Sequence, residues 1–212
     1  MTRAEVAMFP LGMVVFPHQV VGLCVFESRY QQLLDDVDDA QRFGTCLIAR
    51  GTEVGGGDER TFVGTMLNIR GQQRMADGKI LVVVEGTSCF AIESWLDDQP
   101  YPRAMAQERC CDDVMIDPDL LRLAETSVRA LRNLQSEVAA DEVFARNCAM
   151  AEDPWERSWQ LCSMTPMALR DQFKVISMSD PNERLGLLVE ICCERYGDYE
   201  RMLALESDVP FG

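Results

Sequence analysis

The chain has 212 residues, 47% hydrophobic and 26% charged, with a formal net charge of −15 at pH 7. That balance suits one large domain or a domain with a subdomain, and no apolar run approaches the ~20 residues needed to span a bilayer. Such acidity repels phosphate backbones and no Lys/Arg-rich stretch offsets it, so no nucleic-acid partner is expected.

The N-terminus, MTRAEVAMFPLG, carries one early Arg but neither a long apolar run nor a small-residue cleavage site. It reads as mature sequence of a cytoplasmic protein, with no membrane partner. Residues 6–26 then read as short strands, because Pro10, Gly12, Pro17 and Gly22 interrupt an apolar run. Proline lacks an N–H and biases the preceding residue towards extended geometry, so Phe9-Pro10 and Phe16-Pro17 should each redirect a strand. From Glu27 to Val37 the period becomes helical, with Tyr30, Leu33, Leu34 and Val37 on one face. Glu27 and Ser28 sit where they would cap that helix, and Glu27 and Arg29 are placed for a local ion pair.

Residues 43–50 form the next strand candidate, followed by a Gly-rich loop over 51–58 that leads to another strand, not to a helix. This argues for a hairpin connection over a phosphate cradle. Strands are expected over 61–70, 68–75, 79–85 and 87–96, with Asp77-Gly78 as the hairpin turn. Residues 101–108 should return as an edge strand, with Pro100 and Pro102 at its start. The result is about six strands and one helix in a mostly antiparallel sheet that curls towards a barrel.

The pattern changes near residues 110–117. Four steps, Asp117-Pro118, Asp153-Pro154, Thr165-Pro166 and Asp180-Pro181, each put a capping side chain before a proline suited to the first helical position. Helices are expected over 118–136, 140–151, 154–163, 166–177 and 181–204, with a break near Gly197 and a loose tail from 209. Leu120, Leu123, Ala124, Val128, Leu131 and Leu134 form one packing stripe; Leu185, Leu188, Val189, Cys192 and Cys193 form another. The expected architecture is α+β: a β-rich subdomain over 1–112 and a helical subdomain over 113–212.

Little catalytic chemistry is visible. The only Gly-Lys step, Gly78-Lys79, lacks the remainder of a phosphate-binding loop, and no G-x-S-x-G elbow occurs. The single histidine, His18, has no nucleophile site around it, and neither Lys79 nor Lys174 lies in a segment that reads as buried beside a serine. The nine cysteines are odd in number and contain no C-x-x-C pair. No disulfide framework, metal or cofactor is therefore expected.

Phe9-Pro10-Leu11, Phe16-Pro17 and Phe26-Glu27-Ser28-Arg29-Tyr30 together resemble the opening of the Lon protease N-terminal, substrate-binding domain family. The likeness continues in order: Phe43-Gly44, the Gly51-Thr52-Glu53-Val54-Gly55 loop, Val63-Gly64-Thr65, Asp77-Gly78, Glu85-Gly86 with Phe90, and 100–104. In the helical part it is carried by 170–175 and by Arg184-Leu185. The chain has Gly22-Leu23-Cys24-Val25 where the family often has Pro or His, and Ser28 at a frequent Pro. A complete Lon protease continues into ATPase and Ser-Lys peptidase modules, so the resemblance implies a standalone LON-domain protein. It also implies a PUA-like β pseudo-barrel with one helix, followed by a helical bundle. The implied function is recognition of unfolded or tagged polypeptides, or of a protein partner, without cleavage, in an adaptor or regulator of proteolysis. The alternative is a PUA-like domain that binds a small ligand or RNA. An exposed apolar groove or sheet edge would take the peptide, unless a homodimer covers it. The motif residues themselves, prolines that turn strands and a Glu-x-Arg-Tyr step that starts a helix, are expected to build the fold.

Overall fold

The chain folds into two units, Met1–Asp112 and Asp113–Gly212. The computed structural model describes residues 3–37, 40–51, 53, 57–109, 114–138 and 149–207.

The N-terminal unit contains β1 (Arg3–Ala7), β2 (Val20–Val25), α1 (Ser28–Asp36), β3 (Arg42–Arg50), β4 (Glu59–Arg74), β5 (Ile80–Trp95) and β6 (Arg103–Glu108). Every strand pairing is antiparallel, in the order β1-β6-β5-β4-β3, with β2 added to β5. The chain just after β1 returns to the far end of that order. Phe9 N–H donates to Gly44 O at 2.8 Å and Leu11 N–H to Cys46 O at 2.9 Å, forming parallel bridges to β3. These bridges close the sheet into a pseudo-barrel.

Strands β4 and β5 are each 16 residues long. The shorter strands expected over 61–70 and 68–75, and over 79–85 and 87–96, are therefore continuous. Bulges at Thr65/Leu67 and Ile69/Gly71 bend the hairpin without ending it. The Asp77-Gly78 turn lies where expected, with Gly78 at φ 85° and Gly78 N–H donating to Met75 O at 3.1 Å. β6 is not an edge strand: Arg3–Ala7 pairs along one side and β5 along the other. The pairing partner of β6 lies about a hundred residues away in sequence, beyond the reach of local pattern.

The length of β5 lets it take two partners on one side. β2 pairs with Ile80 to Glu85, and β6 with Phe90 to Trp95. α1 covers the β2 side. Its buried face is Tyr30, Leu33 and Leu34, with Val37 just beyond, and it packs with Phe9, Leu23, Val25, Phe43, Leu67, Ile80, Val82 and Val84. Burying each such side chain is worth about 1.5–3 kcal/mol. A second core of Met8, Cys46, Phe90, Ile92, Ala104 and Ala106 fills the barrel. Glu27 stands at the N-cap of α1, but its side chain makes no capping bond. It is engaged instead by Arg29 at 3.1 Å, so the expected ion pair forms and the expected cap does not.

The C-terminal unit contains α2 (Pro118–Val138), α3 (Pro154–Met164), α4 (Leu169–Ser177) and α5 (Pro181–Ser207). Three of the four capping steps behave as expected. The carboxylates of Asp117, Asp153 and Asp180 accept N–H groups of Asp119 at 2.9 Å, Glu156 at 2.8 Å and Asn182 at 2.7 Å. Thr165 does not start a helix. It ends α3, its hydroxyl donating to Leu161 O at 2.8 Å, and α4 begins at Leu169 behind Ala168. Thr165 is the C-cap of α3, its backbone N–H donating to the Leu161 and Cys162 carbonyls, and it lies three residues ahead of the position that precedes α4.

The α2 stripe is rotated from the expected one. Leu121, Ala124, Val128, Leu131 and Leu134 are buried, whereas Leu123 is 51% exposed. On α5 the buried positions are Leu185, Leu188, Ile191 and Cys192, while Cys193 faces out. α5 also passes through Gly197 unbroken, since an interior Gly costs only about 1 kcal/mol. The helix expected over 140–151 falls largely outside the described residues, as does the tail from 209. Arg184 is wholly buried. Its guanidinium lies 3.5 Å from the centre of the Trp159 ring and donates to the Ser158 hydroxyl at 3.1 Å.

Candidate functional site

A groove of ≈ 280 Å³ opens on the N-terminal unit between β2 and the segment that follows β1. Phe9, Leu11 and Met13 form one wall; Gly22, Leu23, Cys24 and Val25 of β2 form the other; Phe26, Glu27, Tyr30 and Glu53 complete it. The lining follows from the local sequence. Phe9-Pro10 carries the chain away from β1 towards β3, so Phe9 turns inward against Tyr30 of α1, with ring centroids 4.1 Å apart. Phe26, between the end of β2 and the start of α1, has no core position to enter and stays 55% exposed at the rim. Met13 is exposed opposite.

Arg29 organises the polar end. Its guanidinium lies 4.5 Å from the centre of the Tyr30 ring, pairs with Glu27 at 3.1 Å and donates to the Glu53 carbonyl at 3.3 Å. The Glu53 carboxylate in turn accepts the Gly12 N–H. These contacts tie Glu53 to Gly12 in one wall and to Arg29 of α1. Burial pushes the Tyr30 hydroxyl up to about 12, a rise that neighbouring Arg29 only partly offsets. The ring is therefore neutral throughout the physiological range.

Alternation along β2 leaves Val20, Gly22 and Cys24 facing out while Leu23 and Val25 enter the core. On the neighbouring strand Leu81 and Val83 also face out, opposite Cys24 and Gly22 in the register. Apolar surface thus continues from the groove rim onto the outer face of the β2–β5 pair.

Near the groove, Arg60 forms a clasp. It pairs with Asp58 and Asp98, each at 2.6 Å, and lies 4.8 Å from the centre of the Trp95 ring. Burial alone would raise the Asp58 carboxyl, but hydrogen bonds and charge from Arg60 outweigh it and hold the group below the usual carboxylate range. A second cavity of ≈ 470 Å³ is more polar, lined by Arg42, Asn68, Thr87, Ser88 and Glu108 beside Met66 and Phe90. Among the described residues, no group of three or more His, Cys, Asp or Glu side chains is disposed to hold a metal ion. No described helix is long and apolar enough to cross a membrane.

Of the motif residues singled out in the sequence, Phe9, Leu11, Phe26, Glu27, Tyr30 and Glu53 line this one groove, and Arg29 bridges its polar end. Pro10, Phe16 and Pro17 are buried. Gly51, at φ 110°, begins the loop that carries Glu53, and Gly55 lies outside the described residues. Gly64 sits in β4 where an added Cβ would meet Phe90 Cζ at 2.6 Å. Asp77 and Gly78 form the hairpin turn, where Lys79 pairs with Asp77 at 2.9 Å. Sequence reasoning did not single out Met13, Leu23 or Val25 as lining residues. Their only signals were an apolar residue directly after Gly12 and the alternation in VVGLCV.

The family model of the ATP-dependent protease La (LON) substrate-binding domain matches residues 5–194. The Lon protease of Escherichia coli (strain K12) is 27% identical over 193 residues, covering 88% of this chain and 24% of that protein. The Lon protease of Heliobacterium modesticaldum is 26% identical over 200 residues, covering 90% and 24%. The chain thus spans about a quarter of the length of these curated relatives. Among solved structures, a Lon N-terminal domain protein from Xanthomonas campestris matches with a TM-score of 0.63 at 22% identity, covering 88% of this chain and 98% of that one. The N-terminal domain of Mycobacterium avium complex Lon protease matches with a TM-score of 0.62 at 16% identity, covering 90% and 98%. At such identities these structures support the fold, an antiparallel sheet combined with helices.

Proposed function

The chain belongs to the LON substrate-binding domain family, and on that premise we propose that it is a non-catalytic polypeptide-binding module whose site is the groove beside β2. The observation that carries this reading is the convergence of Phe9, Leu11, Phe26, Glu27, Tyr30 and Glu53 on one groove with an exposed aromatic rim. Exposed apolar surface beside a concavity is the feature that soluble domains retain for partners. The relatives are named as Lon proteases, and the matched region is the one named for substrate binding. The module then acts in the cytoplasm as an adaptor or regulator that presents unfolded or tagged chains to a protease.

The test is binding of a permanently unfolded, reduced and alkylated protein, followed by fluorescence anisotropy, for the full chain and for Phe26→Ser. The expected result is saturable binding that the substitution weakens about tenfold or more while the melting temperature is unchanged. No binding by the parent chain, or equal binding by the variant, overturns the assignment.

A further inference from the structure

Resting on that reading of the groove, we propose that its occupant binds as an added β-strand on the open edge of β2, and that the preferred segments are apolar stretches flanked by Lys or Arg. Among the described residues β2 pairs with β5 alone. Gly86 N–H donates to Gln19 O at 2.9 Å. Backbone direction alternates along a strand, so Val21, Leu23 and Val25 turn their N–H and C=O groups towards β5. Those of Val20, Gly22 and Cys24 point away from the sheet, a row of donors and acceptors spaced for an incoming chain.

Natural sheets blunt such edges with charge or proline. The other open stretch of this hairpin, the end of β4, is treated that way: Arg70 pairs with Glu85, and Arg74 with Asp35 at 3.5 Å. β2, with the sequence VVGLCV, carries neither a charge nor a proline. Its midpoint is Gly22, where an added Cβ would meet nothing within 4 Å, so the outer face above the middle of the strand stands clear. A strand docked about 4.8 Å away directs alternate side chains to opposite faces. One set drops into the groove between Met13 and Phe26; the other extends the outer surface of Val20, Leu81 and Val83.

Charge selects the flanks. The groove lining contains two carboxylates, Glu27 and Glu53, and no cation. The neighbouring Arg29 pairs with Glu27 and donates to the Glu53 carbonyl, which leaves the Glu53 carboxylate, an acceptor of the Gly12 N–H, as the charge at the groove with no cationic partner among the described residues. The whole chain carries −15. Acidic flanks meet repulsion there, and basic flanks meet the Glu53 carboxylate. Main-chain pairing also makes recognition tolerant of sequence, since every polypeptide offers the same donors and acceptors.

The experiment uses the full chain and a labelled peptide of about eight residues, a usual strand length, with Val and Leu at its centre and Lys at both ends. Two further peptides carry N-methyl groups on alternate amides, one on the odd and one on the even set. Methylation deletes N–H donors and leaves side chains in place. The expected result is that one methylated set loses affinity about tenfold or more, while the other binds like the parent peptide. Replacing the terminal Lys residues by Glu should weaken binding several-fold, an effect that added salt reduces.

Binding by the parent peptide that both methylated sets retain, or lose equally, overturns strand addition and leaves the groove reading standing. Equal binding of Lys- and Glu-flanked peptides overturns the charge preference. No binding by the parent peptide overturns the functional reading itself. A free chain that sediments as a dimer with its Gly22 and Cys24 amides already protected from exchange also overturns the proposal, because a second copy then occupies the edge.

Discussion

Phe9 and Tyr30 stack with ring centroids 4.1 Å apart and planes inclined by 27°. The contact joins a Phe-Pro step that redirects the chain to the first turn of a helix, and both rings line the groove. Residues that build the fold and residues that shape the binding surface are here the same.

Tyr30→Ala should therefore cost about 3–5 kcal/mol, as loss of a buried aromatic does. Tyr30→Phe keeps the stack and should cost less than about 1.5 kcal/mol. Urea midpoints of both variants check the order. Equal losses would show that the hydroxyl, and not the ring, holds α1 against the Phe9 segment.

The exposed rim should behave in the opposite way. Met13→Ser and Phe26→Ser remove side chains that face solvent, so each should change stability by no more than about 0.5 kcal/mol. Affinity for an unfolded polypeptide should fall for both, and further for Phe26. Calorimetric titration alongside a thermal melt separates the two effects.

Acid should loosen the Arg60 clasp. The folded carboxyl of Asp58 titrates below its ordinary range, so the unfolded state binds more protons in acid. The clasp's contribution is then complete above the ordinary carboxylate range of about 4 and is lost as pH falls through the lower folded value. Asp58→Asn should lower stability at neutral pH and flatten its dependence on pH in the acid limb. Urea midpoints measured from neutral to acid read both changes; an unchanged acid slope would mean that other carboxylates carry it.

In the C-terminal unit, Arg184→Lys should not be conservative. Lysine keeps a buried charge but loses the flat contact with Trp159, worth about 2 kcal/mol when desolvated. Arg184→Met keeps an apolar stem and removes the cost of burying the cation, so it should lose less than the lysine variant. Denaturation followed by tryptophan fluorescence ranks the two.

Gly64→Ala should destabilise by about 1–3 kcal/mol, because the new methyl would press on the Thr45 carbonyl and on Phe90. Gly22→Ala, with open space above it, should be neutral or stabilising by up to about 1 kcal/mol. Melting curves of the pair test whether close approach, and not β-strand glycine as such, constrains position 64.

Much of the local structure was legible from short-range chemistry. The helical face Tyr30-Leu33-Leu34-Val37, the Asp77-Gly78 turn and the Asp-Pro caps at 117, 153 and 180 each depend on a few neighbouring residues. Thr165 has the same Thr-Pro form as a cap but closes α3 instead, and α4 starts only at Leu169, beyond the reach of its hydroxyl. The α2 stripe was misplaced because Leu120, Leu121 and Leu123 offer two plausible registers, and packing against α5 decides between them. The interior position of β6 depends on Arg3–Ala7, which no local period marks as its partner. The groove was hidden for the same reason. It is assembled from separate stretches around Phe9, β2, α1 and Glu53, and the pattern of VVGLCV says which side chains face out but not which edge lacks a neighbour.

Strand β5 carries β2 from Ile80 to Glu85 and β6 from Phe90 to Trp95, with β4 on the other side from Ile80 to Ala91. The β2 wall of the groove and the β6 side of the barrel are therefore held by one uninterrupted backbone. Amides of β5 from Ile80 to Glu85, paired with β2 on one side and β4 on the other, should exchange only when the whole N-terminal unit opens. An incoming chain then meets a surface already held in its working shape, and the ordering entropy of association falls almost wholly on the guest.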